Sequence, residues 1–225
     1  MPELHVLRVF TDDRGAGGNP LGVFVDGAAV PADRRQQVAA DLGFSETVYV
    51  DDRAAARLRI FTPATELPLA GHPLVGTAWL LAHLGTPVDV LRPPAGDVQT
   101  WRDGAVVWIR ARPGAGPPWQ FVELADPREV SALRDPLRPE HTRTAYWAWV
   151  DEDGGIVRAR VFAARMGIHE DEATGSAALQ LAVVAGRPVE IWQGEGSILH
   201  ARPGPDATSE VGGRVALDDV RDHRL

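Results

Sequence analysis

The chain contains neither cysteine nor lysine. The first absence removes disulfides, thiolate metal ligands and thiol nucleophiles together. The second removes any lysine Schiff base, whether to pyridoxal phosphate or to a carbonyl substrate; all 23 basic residues are arginine. An excess of positive charge is missing too: the formal charge of −8 argues against nucleic acid as a partner, since phosphate binding needs a basic face. No apolar run approaches 18 residues, and Met1 leads directly into the alternating stretch Leu4 to Val9 without a basic segment followed by an apolar one. The expectation is a soluble, cytoplasmic protein without a membrane partner. Its chemistry is left to carboxylates, histidine, hydroxyls and backbone dipoles.

What is present is a folded composition, 44% hydrophobic and 24% charged, with 23 Gly and 18 Pro to make many turns. The chain also repeats itself. Arg59-Ile60-Phe61, Gly76-Thr77-Ala78 and Gly85-Thr86-Pro87 are echoed by Arg160-Val161-Phe162, Gly175-Ser176-Ala177 and Gly186-Arg187-Pro188, at offsets of 101, 99 and 101 residues. This is the mark of a diverged duplication. With a Pro/Gly-rich linker at Ala111 to Pro118, it divides the chain into units 1–112 and 113–225.

Short alternating segments bounded by Gly, Pro and Asp dominate and predict strands. Examples are Leu4 to Thr11, Thr47 to Val50, Leu58 to Phe61, Ala105 to Arg110, Val157 to Phe162 and Val211 to Leu217. A helix is expected from Pro31 to Leu42, stopped by Gly43. Pro73 to Leu84 and Ala173 to Ala185 predict two further helices, apolar or small nearly all round, as a helix surrounded by protein is. Each ends in Gly-x-Pro. The fold class expected is α+β: two pseudo-symmetric domains, each a mainly antiparallel, barrel-like sheet wrapped around a central buried helix. The last five residues are expected to be loose.

The two apolar helices begin at polar sequence, Gly71-His72-Pro73 and Asp171 to Ser176. Each start carries unpaired backbone N–H groups at the positive end of a helix dipole, and two such ends brought together would hold a carboxylate. Taken alone, Asp171 or Thr174 also reads as a helix cap and His72 as a satisfied, partly buried histidine. Glu46, between the stop at Gly43 and a strand, reads as a solvated turn residue. Gly17-Gly18-Asn19-Pro20 reads as a connection needing positive φ, and it lacks the spacing and lysine of a phosphate loop. His169-Glu170-Asp171 does not point readily to one ion, so no metal site is expected.

Several strings taken together resemble the PhzF-like phenazine-biosynthesis family, of the diaminopimelate epimerase superfold. They are Asn19-Pro20 after the glycine turn, Gly43-Phe44-Ser45-Glu46-Thr47, Glu66-Leu67-Pro68-Leu69-Ala70-Gly71-His72-Pro73 and Glu170-Asp171 with Ala173-Thr174-Gly175-Ser176-Ala177. The resemblance implies a cofactor-independent isomerase that works as a homodimer and moves a proton on a small carboxylate-bearing metabolite in an interdomain cleft. It carries the catalytic roles onto Glu46, His72 and Asp171, and substrate contacts onto Gly71, Gly175 and Ser176, with Asn19 and Ser45 lining the same cleft. Related racemases use a cysteine pair at the helix starts, which this chain excludes. Glu172 stands where the family has proline, and adds a negative charge beside the site. The alternative is a non-catalytic protein that keeps the anion cleft and binds small anions.

Overall fold

The computed structural model describes residues 1–224, among which there are fifteen strands and four helices. β1 (Glu3–Thr11) and β2 (Gly17–Phe24) form an antiparallel hairpin. Helix α1 (Arg35–Leu42) leads to β3 (Glu46–Asp52), which adds parallel to β2, and β4 (Arg57–Phe61) and β5 (Glu66–Leu67) follow antiparallel. Helix α2 (Gly71–His83) comes next, then the antiparallel strands β6 (Val90–Leu91), β7 (Val98–Asp103) and β8 (Val106–Ala111).

The parallel, antiparallel, antiparallel order of β2 to β5 recurs in the next four strands. β9 (Gln120–Glu123) and α3 (Pro127–Ala132) precede β10 (Thr144–Asp151), which is parallel to β9. β11 (Ile156–Ala163) and β12 (Ile168–Asp171) follow antiparallel, and α4 (Gly175–Ala185) after them. β13 (Val189–Gln193), β14 (Ser197–Pro203) and β15 (Ser209–Asp222) close the chain. All fifteen strands belong to one hydrogen-bonded sheet, mostly antiparallel; the expected α+β class is the one observed, as one large sheet with few helices.

β15 is long because it does two jobs. Its first residues, Ser209 to Gly213, pair with β14 and β8, and Arg214 to Asp222 pair with β1. The expectation that the last five residues are loose is therefore corrected. The strand runs through Asp222, the His223 amide donates to the Pro2 carbonyl, and the His223 ring packs edge-on against Phe24; Leu225 lies outside the described residues.

α2 is buried on nearly every face from Gly71 to Leu81, as its composition requires. Leu74, Leu80 and Leu81 are fully enclosed and contribute roughly 1.5–3 kcal/mol each by area removed from water. α4 differs from expectation in its last turn, where Val183 and Val184 are more than half exposed. α1 starts at Arg35 instead of Pro31, because residues 31–34 form a turn closed by the Arg34 amide on the Pro31 carbonyl. Gly43 ends it in the left-handed conformation, as a glycine stop should.

Candidate active site

α2 and α4 meet end to end at their first residues. A β-carbon on Gly71 would lie 2.9 Å from the Gly175 Cα, and one on Gly175 would lie 3.0 Å from the Gly71 Cα, so only hydrogen fits at either position. Neither helix start is capped. Ala70 and Thr174 precede them in extended conformation without a side-chain capping bond, and neither first turn holds an acidic residue. Two sets of orphan N–H groups and two dipoles thus converge at one point.

Beside that point is a cavity of about 210 Å³. Its polar wall holds Glu46, His72, Asp171 and Ser176, and its apolar walls come from Leu67, Leu69, Trp119 and Ile168. Glu46 is the first residue of β3, parallel-paired to Leu21, and is only 8% exposed. The turn reading of this residue is corrected: the carboxyl is buried. Burial drives it well above the usual carboxylate range, and the charge of Asp171 pushes the same way.

His72, at the second position of α2, lies with Nε2 3.2 Å from Glu46 Oε2, yet neither atom has a hydrogen bond of good geometry. Burial lowers the imidazole to about 3, against a hydrogen bond to the Pro20 carbonyl that acts in the other direction. The ring is neutral at physiological pH. With Nε2 facing Glu46, the bond to Pro20 falls to Nδ1–H, which leaves Nε2 as an acceptor. A neutral acceptor beside the carboxyl favours the protonated form of Glu46. Buried polar atoms left without partners are rare enough to need a reason.

Asp171 ends β12 and faces the cavity. Asn19 Nδ2 donates to its Oδ1 at 2.7 Å and Thr174 Oγ1 to its Oδ2 at 2.7 Å. Burial still pushes this carboxyl up to about 6, against those two bonds, with Glu172 adding in the upward direction. The cap reading is corrected here: the Thr174 hydroxyl serves the Asp171 side chain and not the helix. Asn19, itself fully buried, also donates to the Ala173 carbonyl at 3.1 Å and accepts from Ser45 Oγ at 2.6 Å. Asn19 and Ser45 therefore stand behind Asp171; neither lines the cavity, as the resemblance had implied they would.

Glu172 turns away from the cavity. Its carboxylate accepts from the Glu195 amide at 2.9 Å and from Ser197 Oγ at 2.7 Å, and Ser197 Oγ accepts from the Gly18 amide at 2.9 Å. Gly17, at positive φ, packs so tightly that a β-carbon would sit 2.4 Å from the Gly196 carbonyl oxygen. The glycine turn is thus fixed to the β13–β14 turn as well as shaped for its own bend. The three residues His169, Glu170 and Asp171 diverge: His169 bonds the Arg134 carbonyl, Glu170 pairs with Arg160, and Asp171 faces the cavity. Among the described residues no cluster of three or more such side chains is arranged to hold a metal, and no helix is long and apolar enough to cross a membrane.

Sequence reasoning missed Gln193 and Trp119. Gln193 donates to the Asp171 carbonyl at 2.7 Å and accepts from the Thr174 amide at 3.2 Å. A glutamine at the end of an alternating strand carries no local signal for this. Trp119, closing a Pro/Gly linker, is the more visible of the two, since a large aromatic there needs somewhere to be buried.

Solved structures of the same fold include a PhzF-family phenazine biosynthesis protein from Enterococcus faecalis, with TM-score 0.81 and 18% identity over 100% of this chain and 99% of that one. A hydroxyproline epimerase from Agrobacterium vitis matches with TM-score 0.59 and 13% identity over 98% and 91%. The family model described as phenazine biosynthesis-like protein matches residues 7–102. The trans-2,3-dihydro-3-hydroxyanthranilate isomerase of Pseudomonas fluorescens is 31% identical over 79% of this chain and 80% of its own length. The chain belongs to this PhzF family of isomerases.

Proposed function

We propose that the protein is a cofactor-independent isomerase that moves a proton between two carbons of a small cyclic carboxylate, with Glu46 as the proton carrier. The observation that carries this reading is the buried, unpartnered Glu46 carboxyl beside two converging helix ends. The substrate carboxylate lies against the backbone N–H groups at Gly71-His72 and Gly175-Ser176, where aligned dipoles stabilise charge. Glu46 takes a proton from a carbon; the electron pair spreads over the adjoining double bond and the carboxylate; Glu46 then returns the proton to a second carbon on the same face. A raised pKa suits both halves of this cycle, since a stronger base removes the proton and the acid formed can give it back. Neutral His72 supports the protonated form of Glu46. Asp171, oriented by Asn19 and Thr174, holds the substrate amine or hydroxyl.

The units 1–112 and 113–225 each contribute one helix end, so the duplication builds the site and its asymmetry, histidine in one copy and aspartate in the other, directs it. The substrate class follows the relative named above: a dihydro-hydroxyanthranilate or a close cyclic amino-hydroxy acid. Turnover of trans-2,3-dihydro-3-hydroxyanthranilate in deuterated water, followed by NMR and mass spectrometry, tests the reading. The wild type is expected to place deuterium at the reprotonated carbon, and Glu46→Gln to do so at least a hundredfold more slowly, by the usual worth of a general base on the order of 10² to 10⁴. Equal exchange in the two proteins overturns the role of Glu46; tight carboxylate binding with no exchange in the wild type leaves a binding protein.

A further inference from the structure

The Pro/Gly-rich segment between the two repeats is part of the cavity wall. Ala115, Pro117 and Trp119 line it on the side formed by α4. The segment is tied down by one side chain. Gln180, on α4, donates from Nε2 to the Pro113 carbonyl at 3.1 Å and the Pro117 carbonyl at 2.9 Å, and its Oε1 accepts the Trp119 amide at 3.0 Å. All the hydrogen-bonding capacity of that amide group faces the strap except one lone pair of its oxygen. Gly116 gives the close fit: a β-carbon there would meet Ser176 Cβ at 3.0 Å.

Trp119 is 8% exposed, and its indole Nε1–H donates to Ser176 Oγ at 3.0 Å. That bond occupies Ser176 Oγ as an acceptor and leaves the hydroxyl proton free for another partner. The indole therefore acts on the site twice. It walls the apolar part of the cavity together with Leu67 and Leu69, and it holds Ser176 Oγ as an acceptor.

We propose that Trp119 is the specificity-determining residue of this site, limiting it to a single six-membered ring bearing a carboxylate, and that Gln180 is a positioning residue that holds Trp119 in place. The inference rests on the reading of this cavity as the isomerase site. Gln180 does not line the cavity, so its effect reaches the ligand only through the strap.

The test compares wild type, Trp119→Leu and Gln180→Ala by calorimetric titration with 2-aminobenzoate and 1-naphthoate, one ring against two fused rings. The wild type is expected to bind 2-aminobenzoate and to exclude 1-naphthoate. Trp119→Leu is expected to lose at least tenfold in affinity for the single ring and to shift the preference toward the fused ring by tenfold or more. Gln180→Ala is expected to shift it the same way by a smaller factor, and to raise KM for the isomerisation more than it lowers kcat. A size preference within twofold of wild type in both variants, with 2-aminobenzoate still bound, overturns the inference and leaves the site reading intact. Failure of the wild type to bind either acid overturns the site reading and this inference with it. If Trp119→Leu does not fold, Gln180→Ala decides alone: an unshifted preference overturns the inference.

Discussion

A buried carboxyl without a cationic partner is costly in its charged form, and Glu46 has only a neutral imidazole and another carboxyl for company. Its folded-state pKa is raised above the unfolded value, so its contribution to stability is present at low pH and is lost as pH rises through the window between the two. Glu46→Gln removes that cost. The variant is expected to melt higher than wild type at pH 7 to 8 while losing most of its isomerase activity, as thermal unfolding and turnover measured side by side would show; a lower melting temperature contradicts the burial argument. The charge of Asp171 helps to raise Glu46. Asp171→Asn is thus expected to move the acid limb of the kcat/KM profile to lower pH as well as to reduce its height, and an unmoved limb means that the two carboxyls do not interact. From local residues alone Glu46 looked like a turn residue, and only the family strings marked it as the proton carrier. Its burial depends on α2 and on Asp171, which is 125 positions away, so nothing beside it in the chain announces it.

At the scale of elements, the decisive feature is the contact between two helix ends. Gly175→Ala would place a β-carbon 3.0 Å from the Gly71 Cα and 3.1 Å from the His72 amide nitrogen, against backbone that cannot swing aside. The helix ends are expected to separate, with kcat/KM falling at least tenfold and the melting temperature dropping by several degrees, as for other steric insertions costing about 1–3 kcal/mol. Circular dichroism and steady-state kinetics on Gly175→Ala check this; unchanged kinetics contradict the close approach. Both helices were visible in the sequence because apolar composition and Gly-x-Pro stops are local signals. β5, β7, β9, β12 and α3 were not: β5, β9 and β12 are short, with two to four residues each, β7 loses its alternation at Trp101-Arg102-Asp103, and α3 has six residues, although Asp126 caps it with its side chain on the Arg128 amide. Elements this short are held by their neighbours and not by their own periodicity.

Across the whole molecule, β15 ties strands from the two halves of the chain into one sheet, since it pairs with β1 at one end and with β8 and β14 at the other. A main hydrophobic cluster likewise includes Leu74 of α2, Leu179 of α4 and residues of both halves. Unfolding in urea is therefore expected to be a single transition, coincident by far-ultraviolet circular dichroism and tryptophan fluorescence. The fragment 1–112 is expected not to fold alone, because it leaves the β1 edge unpaired and removes the strand that covers β8. Two separated transitions, or a well-folded fragment, would show that the halves are independent.

The sequence by itself determined what is local or compositional: the absence of thiol and lysine chemistry, the alternation that makes strands, the two glycine-led apolar helices and the duplicated strings that relate them. Only the tertiary structure decided that the two helix starts touch, that Glu46 is buried against His72 and Asp171, that Asn19 stands behind Asp171, and that the linker walls the cavity. The physical reason is range. Period, capping and glycine conformation act over a few residues, whereas burial, pKa and cavity shape are set by groups brought together from positions a hundred or more apart.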